Sequence, residues 1–493
     1  MIRFFANLLC LLLAVIITQV ASVQARFIRG QAVTFADFSH IQQVVASSSH
    51  VYFLTTEGIT RYNKESKTWE KPLTGTGRIN HDDIQQIWVD EFDDDLYAET
   101  SMGLFEYDVL FESWYPVTEI PKMDSPTRHI SPPSIMYPPG RFNYDGGTGN
   151  LIDFWGRYFK LVDVLDDGFG ELWIGTWGCG ALTAGNTSHF LKLLPYGLLQ
   201  NRVNAIYYDN GILWVSGAVI GNFRTGLTRF DSDKSEFSYI ESGITPDFPA
   251  VDVNCLAGDS NNIYIGTPFG LLILDRQTEQ FDRQIALRDD FRSGNVLSLL
   301  VKGDTLFAGT DAGLVMVTLS PDSTRVVRPT QFSNAIIYDL ELVDATVWIA
   351  SSIGAYRIKL GSGKLQRFSD PDMILFGDVY DIEHFEEYLW FLADEGLVKL
   401  NTETAESQSY HKVTERLTPN SLAVNDTIAA VASDKGLTIL FHANKNPFTR
   451  DFTTADGLPS NFTYSVLMDG DYLWLGSDEG LTHFLWNNHE RTD

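Results

Sequence analysis

One short pattern returns ten times along this chain, and that recurrence restricts the fold more than any other feature. It reads apolar, aromatic, apolar, small, Ser or Thr, two variable residues, Gly, apolar. Clear copies are Leu172-Trp173-Ile174-Gly175-Thr176, Ile263-Tyr264-Ile265-Gly266-Thr267-Pro268-Phe269-Gly270-Leu271, Leu306-Phe307-Ala308-Gly309-Thr310 and Leu473-Trp474-Leu475-Gly476-Ser477-Asp478-Glu479-Gly480-Leu481. Weaker copies begin at Val51, Leu96, Leu213, Val347, Leu389 and Ile428. The second glycine marks the phase: Gly58, Gly103, Gly180, Gly226, Gly270, Gly313, Gly354, Gly396, Gly436 and Gly480. Successive glycines lie near 43 residues apart, except for the 77 between Gly103 and Gly180.

A unit of that length holds four short strands. A strand such as Val296-Leu297-Ser298-Leu299-Leu300 precedes the motif, and an acidic or Gly-containing turn follows it. The motif is the second strand, the Gly-apolar step opens the third, and a run such as Lys364-Leu365-Gln366-Arg367-Phe368 is the fourth. Alternating runs between turn signals are strands. The glycine is expected to adopt positive φ, and the aromatic to pack between neighbouring units. The fold class is therefore all-β, a β-propeller of about ten four-stranded blades. The last unit stops after its third strand, and the orphan segment Gln31 to Phe38 has the length of the missing strand. Pairing the two closes the final blade and hides sheet edges. One ring is the simplest arrangement; two sub-rings closed the same way are the alternative.

Residues 1–25 read as a signal peptide: Arg3, an apolar run from Leu8 to Val20, then Val23-Gln24-Ala25 before the expected cut. Residues 26–493 would form the propeller, periplasmic or secreted, without membrane insertion after cleavage. The formal charge of −28 argues against nucleic acid as a partner. Cys179 and Cys255 remain after cleavage and fall in units three and five, too far apart for a disulfide, so both read as packing residues.

The last unit also reads Asp456-Gly457-Leu458-Pro459-Ser460-Asn461 ahead of its motif, and the third reads Asp167-Gly168-Phe169-Gly170-Glu171-Leu172-Trp173-Ile174-Gly175-Thr176. These segments resemble the repeats of the two-component regulator propeller family, over nearly all of residues 26–493 apart from the irregular insert. The resemblance implies an extracytoplasmic sensor region, many of whose relatives resemble carbohydrate sensors. It also implies a membrane signalling or envelope protein as partner. This chain shows no transmembrane helix or kinase segment after the propeller, so signalling would run through another protein.

Catalytic signatures are sparse. There is no phosphate-binding glycine loop, no H-E-x-x-H and no G-x-S-x-G. His81, His129, His384 and His411 lack metal-ligand spacing, so neither a metal nor a cofactor is expected. The acidic run Asp90 to Asp95 falls at a hairpin turn and lacks the pattern of a calcium loop. A glycosidase needs two facing carboxylates, which spacing alone cannot reveal.

Two places suit a ligand. The inner strands line the channel, and their third position reads Gln43, Gln86, Asp163, Ala205, Cys255, Ser298, Asp339, Asp381, Ala423 and Ser465. Gln86, Asp163, Asp339 and Asp381 are the polar candidates; tight packing near the axis is the competing explanation. The second place is the insert at about residues 122–157, which is too aromatic for simple disorder. Tyr144 and Trp155 would lie over the channel mouth beside Trp177 and Phe269, as a lid, or else plug the fold. The expected function is an exported, non-catalytic binding or sensor propeller for glycans or peptides. A docking scaffold of the cell envelope and a carbohydrate-active enzyme are the alternatives.

Overall fold

The structure, a computed structural model, describes residues 32–74, 79–91, 93–121, 127–218, 224–249, 251–281, 294–319, 324–411, 413–415 and 417–487. The expected signal segment and residues 122–126 of the insert lie outside these. No helix of the described residues is long and apolar enough to cross a membrane.

The ten units form ten antiparallel sheets. In each, the inner strand pairs with the motif strand, and the motif strand with the third. The phase glycines all have positive φ, from +83° at Gly180 to +149° at Gly226. Gly58 shows a second reason: a Cβ there would fall 2.6 Å from the Leu73 carbonyl oxygen. The Ser or Thr of the motif also has a task. In eight units its hydroxyl donates to the carbonyl of the phase glycine, as Thr55 does to Gly58 at 2.8 Å and Thr267 to Gly270 at 2.8 Å. That bond ties the turn between second and third strands, so these turns present their side chains from a fixed frame. The orphan segment closes the last blade as expected: Ala32–Phe35 pairs with Gly480–Leu485, and Thr34 Oγ1 meets Thr482 Oγ1 at 3.0 Å.

The units do not make one ring, and the single-ring expectation is corrected here. The inner strands Val203–Asp209, Cys255–Gly258, Val296–Lys302, Ile337–Val343, Val379–Phe385, Pro419–Val424 and Thr463–Asp469 pack in that order, and the last packs back on the first. Units four to ten thus close a seven-bladed ring. Units one to three form a separate arc in the spatial order three, one, two: Tyr158–Asp166 packs on Ile41–Ala46, which packs on Ile84–Val89. Buried packing explains the division. The motif aromatic Trp474 of unit ten sits in one apolar cluster with Val203, Leu213 and Phe230 of unit four. Trp173 of unit three packs with Ile41, Val44 and Phe53 of unit one.

The insert follows the open side of the arc. Arg128–His129 pairs with the end of unit three's inner strand, and the hairpin Phe142–Asp145 and Asn150–Asp153 extends the same sheet. Between them the chain crosses to the outer edge, where Tyr137 N donates to His189 O and Leu191 N to Tyr137 O, both at 2.9 Å. Met136, Phe142, Leu151 and Phe159 thereby bury against Val164, Leu172, Ile174 and Leu182 of unit three. The insert covers the side of a blade that no neighbouring blade covers. It caps that blade from the side, where the expectation was a lid over the channel mouth or a plug in the fold.

Candidate functional site

The third residue of the inner strand follows a one-residue register shift in nine units, and that extra residue re-aims its side chain toward the next blade. In unit nine the shifted residue is Ser421, two positions before the expected Ala423. Five of these side chains, Gln43, Asp163, Asp339, Asp381 and Ser421, lace neighbouring inner strands together. Asp339 Oδ2 accepts from Ile382 N at 3.1 Å, Asp381 Oδ2 from Leu422 N at 2.6 Å, and Asp163 Oδ2 from Val44 N at 2.8 Å. Gln43 bonds both the N–H and the carbonyl of Ile87. Gln86 is exposed and makes no such bond among the described residues, because no blade follows unit two. Asp163 and Gln86 belong to the arc, so they share no channel with Asp339 and Asp381.

Asp339 and Asp381 do more than lace strands. Burial pushes both carboxyls up, and the Asp339 charge adds to the rise at Asp381. Two residues on, the alternation of the strands brings Glu341 and Glu383 to the same side. Burial and the Asp339 charge push Glu341 up to about 8; burial, Glu341 and Asp339 push Glu383 well up. Four carboxyls thus meet on two adjacent inner strands. Reading every second residue from Asp339 and Asp381 would have found the two glutamates.

The more open feature is at the junction of arc and ring. A cleft of about 350 Å³ is lined by Arg141, Asp153, Phe154, Trp155 and Ile244. Phe154 is 79% exposed and Trp155 63%. Their turn is rigidly built: buried Asp153 accepts from Trp155 N and Arg157 N, both at 2.9 Å, and from Arg157 Nε at 2.6 Å. Gly156, at φ +75°, closes it. Arg157 then reaches across to Glu241 of unit four at 2.8 Å, which also pairs with Arg224 at 3.2 Å. The arrangement is two exposed aromatic faces held still beside a guanidinium, Arg141, that has no ion pair among the described residues. Such a surface can stack a flat or ring-shaped ligand and hydrogen-bond its edge.

Of the other expected residues, Tyr144 is part of the cap, donating its hydroxyl to Pro133 O at 2.7 Å. Trp177 lies in the arc, edge-on to His40, while Phe269 stands 81% exposed on a turn of unit five in the ring. They do not frame a single channel mouth. Both cysteines are free thiols. One further group, Glu57, His81 and Glu479, brings three ligand atoms together between arc and ring.

No protein-family model and no curated protein matches the chain. Several solved structures are similar to it. PorZ of Porphyromonas gingivalis, an essential bacterial surface component of the type-IX secretion system, is 12% identical at a TM-score of 0.49, with 90% of this chain and 68% of that one covered. The extracellular domain of the hybrid two component system protein BT3049 of B. thetaiotaomicron is 17% identical at 0.45, with 90% and 61% covered. That of the one component system protein BT4673 of the same organism is 14% identical at 0.43, with 90% and 70% covered. A likeness of this depth transfers no ligand, partner or activity.

Proposed function

We propose that this chain is an exported, non-catalytic binding or sensor propeller whose ligand, a glycan or a peptide, sits in the junction cleft against Phe154 and Trp155. The observation that carries it is the locked turn. Exposed aromatics are costly to leave in water, and here an ion-pair chain from Asp153 through Arg157 and Glu241 to Arg224 holds them in one geometry. A pre-ordered aromatic platform loses little entropy on binding. Because the chain of charges spans arc and ring, occupancy of the cleft would bear on how the two units sit together, as a sensor requires. Export to the periplasm or beyond rests on residues 1–25 and on the repeat resemblance.

Calorimetry of the purified protein against panels of neutral and acidic glycans and of peptides tests this reading. Saturable binding that Trp155→Ala abolishes supports it. Absence of binding across the panels, or binding untouched by Trp155→Ala and Phe154→Ala together, sinks it.

A docking scaffold is the second reading, favoured by unit two. Val109, Leu110 and Phe111 form an exposed apolar turn there, with Leu110 90% exposed, on the blade that no neighbour follows. The carbohydrate-active reading has less behind it. Burial pushes the four carboxyls gathered in the ring, Asp339, Asp381, Glu341 and Glu383, toward their neutral forms, whereas a glycosidase needs one ionised carboxylate as nucleophile or base.

A further inference from the structure

We propose that Glu57, His81 and Glu479 form a site for a divalent transition cation of the zinc type, which clamps the arc to the ring. This does not depend on the ligand reading above. The three residues come from turns far apart in the chain. Glu57 lies in the turn of unit one tied by Thr55, and Glu479 in the equivalent turn of unit ten tied by Ser477. His81 opens the short 3-10 turn His81–Asp83 that leads into unit two. Their candidate ligand atoms all lie within 4.8 Å of one another, and all three side chains are half-buried.

The surroundings match those of a metal-bound histidine. Such a histidine usually gives its second ring nitrogen to a carboxylate, which fixes the ring and leaves the first nitrogen to the metal. Here His81 Nε2 lies 3.2 Å from Asp82 Oδ1, and Nδ1 is buried with no hydrogen-bond partner. Glu57 is oriented in a comparable way. Asn201 Oδ1 accepts from Asp37 N at 2.6 Å, which leaves its amide NH₂ for the hydrogen bond it makes with the Glu57 carboxylate. Asn201 belongs to the segment joining unit three of the arc to unit four of the ring, while Asp82 belongs to the arc.

The donor set completes the case: two carboxylate oxygens and one imidazole nitrogen lie within 4.8 Å of one another, close enough to share one cation. Two carboxylates and one imidazole suit a borderline ion with four-coordinate geometry and a water in the remaining place. Calcium takes six to eight oxygens and does not select imidazole. The competing occupant is the histidine's own proton, with a histidinium pairing the two glutamates.

The test uses the full chain, stripped with a chelator and titrated with Zn(II), Mn(II) and Ca(II) by calorimetry, with Co(II) absorption as a spectroscopic readout. The expected result is one equivalent of Zn(II), a rise in Tm on loading, and a tetrahedral Co(II) band. His81→Ala and Glu479→Gln should each weaken Zn(II) by on the order of a hundredfold, and Asp82→Asn by about tenfold. Glu479→Gln relieves repulsion, so its metal-free form should melt no lower than the metal-free parent, which keeps the test clear of misfolding. Sub-stoichiometric Zn(II), or Zn(II) binding unchanged in both His81→Ala and Glu479→Gln, overturns the proposal in favour of the histidinium.

Discussion

Gly476 of unit ten lies against Val203 of unit four: a Cβ built on the glycine would stand 2.7 Å from Val203 Cγ1 and 2.7 Å from the Val203 carbonyl oxygen. This approach closes the seven-bladed ring. Gly309 makes the same approach to Ile337, from unit six to unit seven, so the small residue of the motif serves blade-on-blade packing. Gly476→Val should therefore lower stability by about 2–3 kcal/mol, the cost of overpacking a filled core. Gly140→Ala, with open space around it, should change stability by less than about 0.5 kcal/mol. Urea unfolding of the two variants checks the contrast.

The same position explains what was and was not legible in the sequence. Repeat length, positive-φ glycines and the closing strand all follow from local chemistry, and each stands as expected. Blade order does not, because it depends on which inner strand packs on which, and the linker between units three and four has ordinary length. One residue did carry the signal. Unit two has Glu99 where other units have Gly, Ala, Ser or Leu, since no following blade approaches it. For the site, Asp339 and Asp381 were visible through repeat alignment, whereas Glu341 and Glu383 were missed although strand alternation from those two leads to them. Trp155 was visible as part of an aromatic insert, but its place at the junction rests on the Arg157–Glu241 pair, which joins residues 84 apart. Glu57, His81 and Glu479 come from three turns, and no spacing rule connects them.

Closure by the orphan strand makes a second prediction. Phe35 is buried among Phe230, Phe237, Tyr196 and Trp474, with ring centroids 4.9–6.4 Å away. Phe35→Ala should cost about 3–5 kcal/mol by emptying that space. It should also raise amide exchange along Gly480–Leu485, the strand with which Ala32–Phe35 pairs. Hydrogen-exchange mass spectrometry reads the local effect, and an unchanged exchange rate there would mean that closure does not depend on this ring.

The channel carboxyls predict a pH dependence with a definite sign. Glu341 rises from an ordinary 4.5 to about 8 on folding, so the folded state favours its protonated form. The corresponding stability is fully present below about 4.5 and is lost as pH climbs toward 8. Glu341→Gln removes the ionisation but keeps the shape of the side chain. The variant should match the parent near pH 4.5 and exceed it by about 1–2 kcal/mol at pH 9, a figure reduced from the ~1.4 kcal/mol per pKa unit because the side chain is half-buried. Denaturant unfolding across that range checks it, and parallel profiles for parent and variant would show that the Glu341 proton is not linked to folding.

The cleft separates binding from support in a way that two substitutions can read. Trp155 is exposed and serves the surface, so Trp155→Ala should leave unfolding within about 0.5 kcal/mol of the parent while removing ligand binding. Arg157 lies behind the surface and neutralises Asp153 and Glu241, both only 2% exposed at their side chains. Arg157→Ala strands those charges, with Arg224 left to compensate Glu241 alone, and should cost about 3 kcal/mol. It should weaken binding as well, because Phe154 and Trp155 then sit on a loosened turn. The discriminating measurement is ligand affinity against stability for both variants. If Arg157→Ala loses stability while affinity holds, the ion-pair chain only joins arc to ring, and the aromatic turn keeps its geometry through Gly156 and the backbone bonds to Asp153.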